Sequence, residues 1–192
     1  MQSGSIARAA WAAPMSSGSK PNWVMIDAAS LLAFASFPQK NIVGFTPPKS
    51  EVSHEGPLQQ IFADQFGWPE MVEQVAAVYN GLPPEEREKA AIYGSNYGQA
   101  GAIDFFGDKF GLPKSISPHQ SYFLWGPHDY TGESIIILGS SLKGVEGKCD
   151  SVEVLGEVTH PYVLPYEKYP IIHCRQTKKP LSEIWQSLKY WN

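Results

Sequence analysis

Three glycines, Gly94, Gly98 and Gly101, bracket Ser95, Asn96, Tyr97 and Gln99 in the run Gly94-Ser95-Asn96-Tyr97-Gly98-Gln99-Ala100-Gly101. Glycines at these intervals let a backbone approach a ligand closely, or let a helix pack tightly on a sheet. The run follows the apolar, strand-length stretch Ala90 to Gly94, and Ser95 or Asn96 is a natural cap for a helix beginning there. A strand-to-helix junction of this kind is where open α/β sheets hold ligands, and the helix N-terminus offers N–H groups to an anion or a sugar hydroxyl. Asn96, Tyr97 and Gln99 are therefore candidate ligand contacts. The competing reading is turn geometry and close packing alone. The spacing is neither GxGxxG nor GxxxxGK[ST], so nucleotide binding is not indicated.

A second cluster is Ser117-Pro118-His119-Gln120-Ser121-Tyr122-Phe123-Leu124-Trp125-Gly126-Pro127, uncharged, polar and aromatic, with no clear period. Rings that stack on apolar faces, mixed with an imidazole and an amide that bind hydroxyls, suit a carbohydrate or a lipid headgroup. His119, Gln120, Tyr122 and Trp125 are the candidates; for each aromatic alone, filling the core is the plainer role. His160-Pro161-Tyr162 with Pro165-Tyr166 forms a weaker third group, at the same rim or merely shaping a long connection. There is no GxSxG elbow. Asp104, Glu133 and His119 are chemically able to act as an acid–base set, but no spacing unites them. The histidines lack HxH or HxxxH pairing and the two cysteines lack CxxC spacing, so no metal or cofactor is expected. Cys149 and Cys174 fall near the ends of expected strands, either as a disulfide or as two buried thiols.

These residues must be positioned by the elements around them. Met71, Val75, Val78 and Leu82 recur at helical spacing after Pro69, and Asn80-Gly81 stops that helix. Pro83-Pro84-Glu85-Glu86 opens a short solvated helix. The helix after Asn96 carries Ile103, Phe106 and Phe110 on one face and is expected to run to Gly111-Leu112-Pro113. Ser134 to Leu138 reads as a buried central strand, Val152 to Val158 as a half-exposed one, and Ile171 to Arg175 as another. Leu181, Ile184, Trp185, Leu188 and Trp191 share a face of a closing helix. Strands alternating with helices predict an α/β fold: a three-layer sandwich with a mixed, mostly parallel sheet covered by helices on both faces.

The chain has 192 residues, with 43% hydrophobic and 12% aromatic content, enough for one core without metal or cross-links. Fifteen Lys and Arg against nineteen Asp and Glu, with no basic run, exclude an electrostatic nucleic-acid binder. No charge-free stretch is longer than Ser115 to His128, too short to span a bilayer as a helix. Residues 1–22 read as a flexible leader, 23–56 as a helix followed by an irregular connection, and 57–192 as a single α/β domain.

The string YGSNYGQAGAIDFFGDKFGLPKSISPHQSYFLWGPHDYTGESIIILG resembles the soluble C-terminal domain of bacterial membrane glycosyltransferases of the dolichyl-phosphate-mannose–protein mannosyltransferase and aminoarabinose-transferase type. The preceding EVSHEGPLQQIFADQFGWPEMVEQVAAVYNGLPPEEREKAAIYG, the later HPYVLPYEKYPIIHC and the closing LSEIWQSLKYW are similar to it as well, so the likeness runs from about Phe37 to Trp191. The resemblance implies an extracytoplasmic (periplasmic) domain attached to a membrane-embedded part of the same parent protein, which uses a polyprenyl-phosphate sugar. In that family the catalytic carboxylates lie in an extracytoplasmic loop near the first membrane helices, so the resemblance gives no residue here a catalytic role. The leader departs from the pattern and points to a fragment of a larger gene.

The expectation is thus an accessory domain of a lipid-linked-sugar-dependent glycosyltransferase, not catalytic in isolation, whose partners are a carbohydrate or polyprenyl-phosphate-sugar headgroup and the membrane part. The alternatives are a stand-alone glycoside or ester hydrolase with its cleft at residues 94–101, and a carbohydrate-binding module.

Overall fold

Five consecutive buried residues, Ser134–Leu138, form the central strand β2, and the remaining elements are arranged around it. The structure, a computed structural model, describes residues 60–191, which lie within one compact unit. The expected leader (1–22) and the expected helix and connection (23–56) lie outside the described residues.

In chain order the elements are α1 (Gln60–Ala63), α2 (Trp68–Gly81), α3 (Pro84–Arg87), β1 (Ala90–Gly94), α4 (Tyr97–Phe106), a 3-10 turn (Asp108–Phe110), α5 (Ser121–Trp125), β2, α6 (Leu142–Val145), β3 (Cys149–Val158), a second 3-10 turn (Pro165–Glu167), β4 (Tyr169–Thr177) and α7 (Leu181–Leu188). The sheet order is β1-β2-β4-β3. β1 and β2 are parallel, with Ala90 opposite Ser134 and Gly94 opposite Leu138. β4 is antiparallel to both neighbours, with His173 opposite Ile136 of β2 and Glu153 of β3.

The sheet is mixed, as expected: β1, β2 and β3 run in one direction and β4, between β2 and β3, runs in the other, so that β1–β2 is the parallel pairing. Residues 95–133 between β1 and β2 are ample for a helical crossover. The stretch 139–148 carries the chain past the β4 position to a co-directional β3, whereas 159–168 joins β3 to its neighbour β4 and is shorter than the dozen or so residues that a parallel return needs.

Alternation along the strands divides the apolar residues in two. Ala90, Ile92, Ile136, Leu138 and Ile171 join Met71, Val72 and Val75 of α2 and Ile103 of α4 in one buried cluster. Their neighbours Ala91, Ile135, Ile137, Ile172 and Cys174 join Phe123 of α5 and Leu181 and Trp185 of α7 in another. Cys149 and Cys174 are joined as a disulfide, their Cα atoms 5.8 Å apart.

Two expected boundaries moved. α4 stops at Phe106, and Gly107, where a Cβ would collide with the Ile103 carbonyl oxygen, lets the chain tighten into the 3-10 turn before Gly111 (φ 70°). The aperiodic segment after Pro118 contains the one-and-a-half-turn helix α5, whose Phe123 stacks on Trp185 while the Trp185 indole N–H donates to the Phe123 carbonyl at 3.0 Å. Among the described residues no helix is long and apolar enough to cross a membrane.

Candidate functional site

The carboxyl end of β1 turns directly into α4, and Gly94 makes that turn possible: a Cβ there would stand 2.9 Å from the Ala100 amide nitrogen. Asn96 caps the helix. Its side-chain oxygen accepts the Gln99 amide at 2.9 Å, and the Gln99 side chain accepts the Asn96 amide in return. Ser95 Oγ donates to the Leu138 carbonyl at 2.6 Å and lies 3.0 Å from Ser140 Oγ, which ties the ends of β1 and β2 together.

Gln99 is 2% exposed, and its amide is committed to the cap, to Glu167 and to Tyr169. A Cβ on Gly139 (φ 70°) would reach within 2.6 Å of Gln99 Nε2. Of the three candidates at this junction, Asn96 and Gln99 hold the fold together, and Tyr97 alone presents its side chain to solvent, at 53% exposure.

Tyr97 belongs to a ring cluster that the sequence did not indicate as a whole. Its amide donates to His119 Nδ1 at 3.4 Å, and the two ring centroids are 4.9 Å apart. The other face of the cluster is Tyr190, 4.7 Å from the imidazole. Tyr190 arrives there because the C-terminal segment runs parallel to residues 118–120: its amide donates to the Pro118 carbonyl and its carbonyl accepts the Gln120 amide. No residue type or spacing marked Tyr190 as a site residue; only the bridge reveals it. His119 is 3% exposed and burial holds its pKa below the usual histidine range, so the ring is neutral.

Gln120 follows at φ 49°, ψ −128°, a conformation that L residues rarely adopt, at the entry to α5. On α5, Tyr122 donates to Asp104 Oδ2 at 3.0 Å, and burial together with this carboxylate pushes its phenol up to about 12. Asp104 Oδ1 also accepts the Ser115 amide at 2.8 Å. The Tyr122 ring meets Trp125 edge-on at 4.6 Å, and Trp125 and Leu124 are largely exposed. The structure therefore brings Tyr97, His119 and Gln120 to one rim with Tyr190, while Tyr122 and Asp104 cross-link α5 to α4 beside Trp125.

The suggested acid–base set does not assemble. Asp104 is occupied by Ser115 and Tyr122, His119 lies between tyrosines, and Glu133 pairs with Lys89 at the amino ends of β2 and β1. That ion pair borders an open hollow of about 550 Å3 in which Lys89 and Glu133 neutralise each other. His160 packs against Phe66 and Tyr162 beside the start of α2, around a recess of about 20 Å3. That is room for one water, not for a substrate.

One further row has the outward form of a hydrolase relay: Ser134 Oγ lies 2.9 Å from His173 Nε2, and Glu86 Oε2 lies 3.8 Å from His173 Nδ1. Its setting is structural. His173 is fully buried and Ser134 nearly so, and Ser134 sits inside the strand ladder opposite Ala90 of β1 and Arg175 of β4, where no substrate can reach it. Glu86 is held by Arg175 at 3.0 Å, and Arg175 in turn binds Glu153 at 2.9 Å. No group of three or more His, Cys, Asp or Glu among the described residues is placed to hold a metal ion. No family model, curated protein or solved structure matches the chain at a significant level.

Proposed function

We propose that the chain is a non-catalytic accessory domain of a membrane glycosyltransferase that uses a lipid-linked sugar, working outside the cytoplasm and offering the Tyr97–His119–Trp125 rim to carbohydrate. The observation that carries this reading is the rim itself. Tyr97 and Tyr190 are exposed rings packed on His119, and Leu124 and Trp125 of α5 and Trp191, which follows Tyr190 in the chain, are further large, exposed apolar side chains. Exposed rings beside uncharged hydrogen-bonding groups make a contact surface, whereas a hydrolase needs two facing titratable groups in a cleft.

Two other features support the reading. The buried Cys149–Cys174 disulfide is stable in an oxidising compartment and unusual in the cytosol. The resemblance read from the sequence alone, to the soluble domains of such transferases, covers the α4 and α5 segments. In this reading the two apolar clusters are the two sides of a three-layer sandwich, with α2 and α4 over one face of the sheet and α5 and α7 over the other.

The test is twofold. The isolated chain is assayed against chromogenic glycosides and esters, with no turnover expected; turnover abolished by Ser134→Ala or His173→Ala establishes a hydrolase instead. An antibody to residues 60–191, applied to fractions of the expressing cells, should detect a membrane-bound protein much larger than 21.2 kDa. A soluble band of that mass alone overturns the reading.

A further inference from the structure

His119 has an unmet bond. Nδ1 accepts the Tyr97 amide, which places the proton of the neutral ring on Nε2. Nε2 is buried and has no hydrogen-bond partner. An N–H left in that state carries a desolvation penalty that a phenylalanine at the same place would not incur. Buried donors without partners are rare in folded proteins, and each calls for a physical explanation.

The surroundings supply one. Tyr97 and Tyr190 flank the imidazole with centroids within 5 Å, yet each is about half exposed. Their backbones are fixed, Tyr97 as the first residue of α4 and Tyr190 by its two bonds to Pro118 and Gln120. The two partly exposed tyrosine rings are packed directly on the imidazole that carries Nε2, and their side chains can turn while their backbones stay in place. Gln120, beside them, is kept in a strained conformation, a cost that folds tolerate mainly where a site requires it.

The chemistry narrows the ligand. An apolar molecule stacked on the tyrosines leaves Nε2 unsatisfied. A neutral imidazole gives an anion no charge to pair with. A polyhydroxyl ring meets both demands, because its C–H face stacks on an aromatic ring and its hydroxyl oxygen accepts a proton. We propose that Tyr97, His119 and Tyr190 form a sugar seat: a pyranose lies against a tyrosine ring and one of its hydroxyl oxygens accepts the His119 Nε2–H bond once the tyrosines part. The choice of carbohydrate rests on the accessory-domain reading; the seat itself rests on the geometry.

The full chain, labelled with 15N-histidine, is titrated with methyl mannopyranoside, methyl glucopyranoside and N-acetylglucosamine, and with a hexose carried on a polyprenyl phosphate in micelles. The His119 Nε2 resonance should shift saturably with at least one of them. Tyr190→Ala, which removes only a half-exposed ring, and His119→Phe, which keeps a ring but removes the donor, should each weaken that binding about tenfold. Tighter binding of the micellar ligand with the same dependence identifies the lipid-linked sugar as the occupant; equal binding identifies a free or acceptor glycan. No shift with any ligand, or affinity unchanged in both variants, overturns the seat. Neither result touches the turnover and fractionation tests, so the two proposals fail separately.

Discussion

His119 and His173 are both kept neutral by burial, His173 additionally by Arg175 beside it, while Glu86 and Glu153 act weakly the other way. Their folded-state pKa values therefore lie below the ordinary 6.5, so the unfolded chain binds protons first as the pH falls. Stability should be constant above about pH 7.5, decline as the pH drops through 6.5, and level off below the depressed values. Urea midpoints at pH 7.5 and 5.5 measure this, and His173→Gln should flatten the difference; a midpoint that rises on acidification contradicts the assignment. Tyr122 offers a second check: Tyr122→Phe deletes the bond to Asp104 and should cost about 1 kcal/mol in denaturant unfolding. At this scale the sequence was half informative. It singled out His119, Gln120 and Tyr97 as polar and aromatic residues in uncharged segments. It had no means of showing that Gln99 turns inward or that Tyr190 closes the cluster, since both depend on contacts between distant parts of the chain.

The helix that begins at Tyr97 depends on its cap, and Asn96 was legible because cap chemistry is local: a short polar side chain with Gln three residues on. Asn96→Ala should destabilise the fold by about 1 kcal/mol, read from thermal or denaturant unfolding. The entry to α5 behaves oppositely. Gln120→Gly relieves the strained φ and should raise stability by about 1 kcal/mol; an unchanged or lower midpoint means that the Gln120 side chain makes compensating contacts. Strands β1 and β2 matched their expected limits because continuous apolar runs bounded by Lys89, Ser95, Glu133 and Gly139 leave little freedom. Helix α5 escaped notice because five residues, mostly aromatic, carry no period, and tertiary stacking of Phe123 on Trp185 decides their form.

For the molecule as a whole, the disulfide and the open edge of the sheet matter most. Cys149 and Cys174 enclose a loop with a sequence separation of 25 residues, and reduction should cost about 3 kcal/mol, visible as a lower unfolding midpoint in dithiothreitol. The reversal of β4 was the global property that the sequence did not single out, because strand direction depends on connections and on pairing between distant segments and not on the residues within the strands. β1 is flanked by Ile116 through a short bridge, but among the described residues β3 ends the sheet, with a row of backbone donors and acceptors facing outward. Exposed Asp150, Glu153 and Glu157 line that strand, and an irregularity between Val154 and Gly156 bends it. Both are devices that discourage a second strand from adding on. Replacing the three acids with threonine should produce assembly that grows with concentration in sedimentation velocity, so three carboxylates and one kink keep neighbouring copies from zipping together into a continuous ribbon.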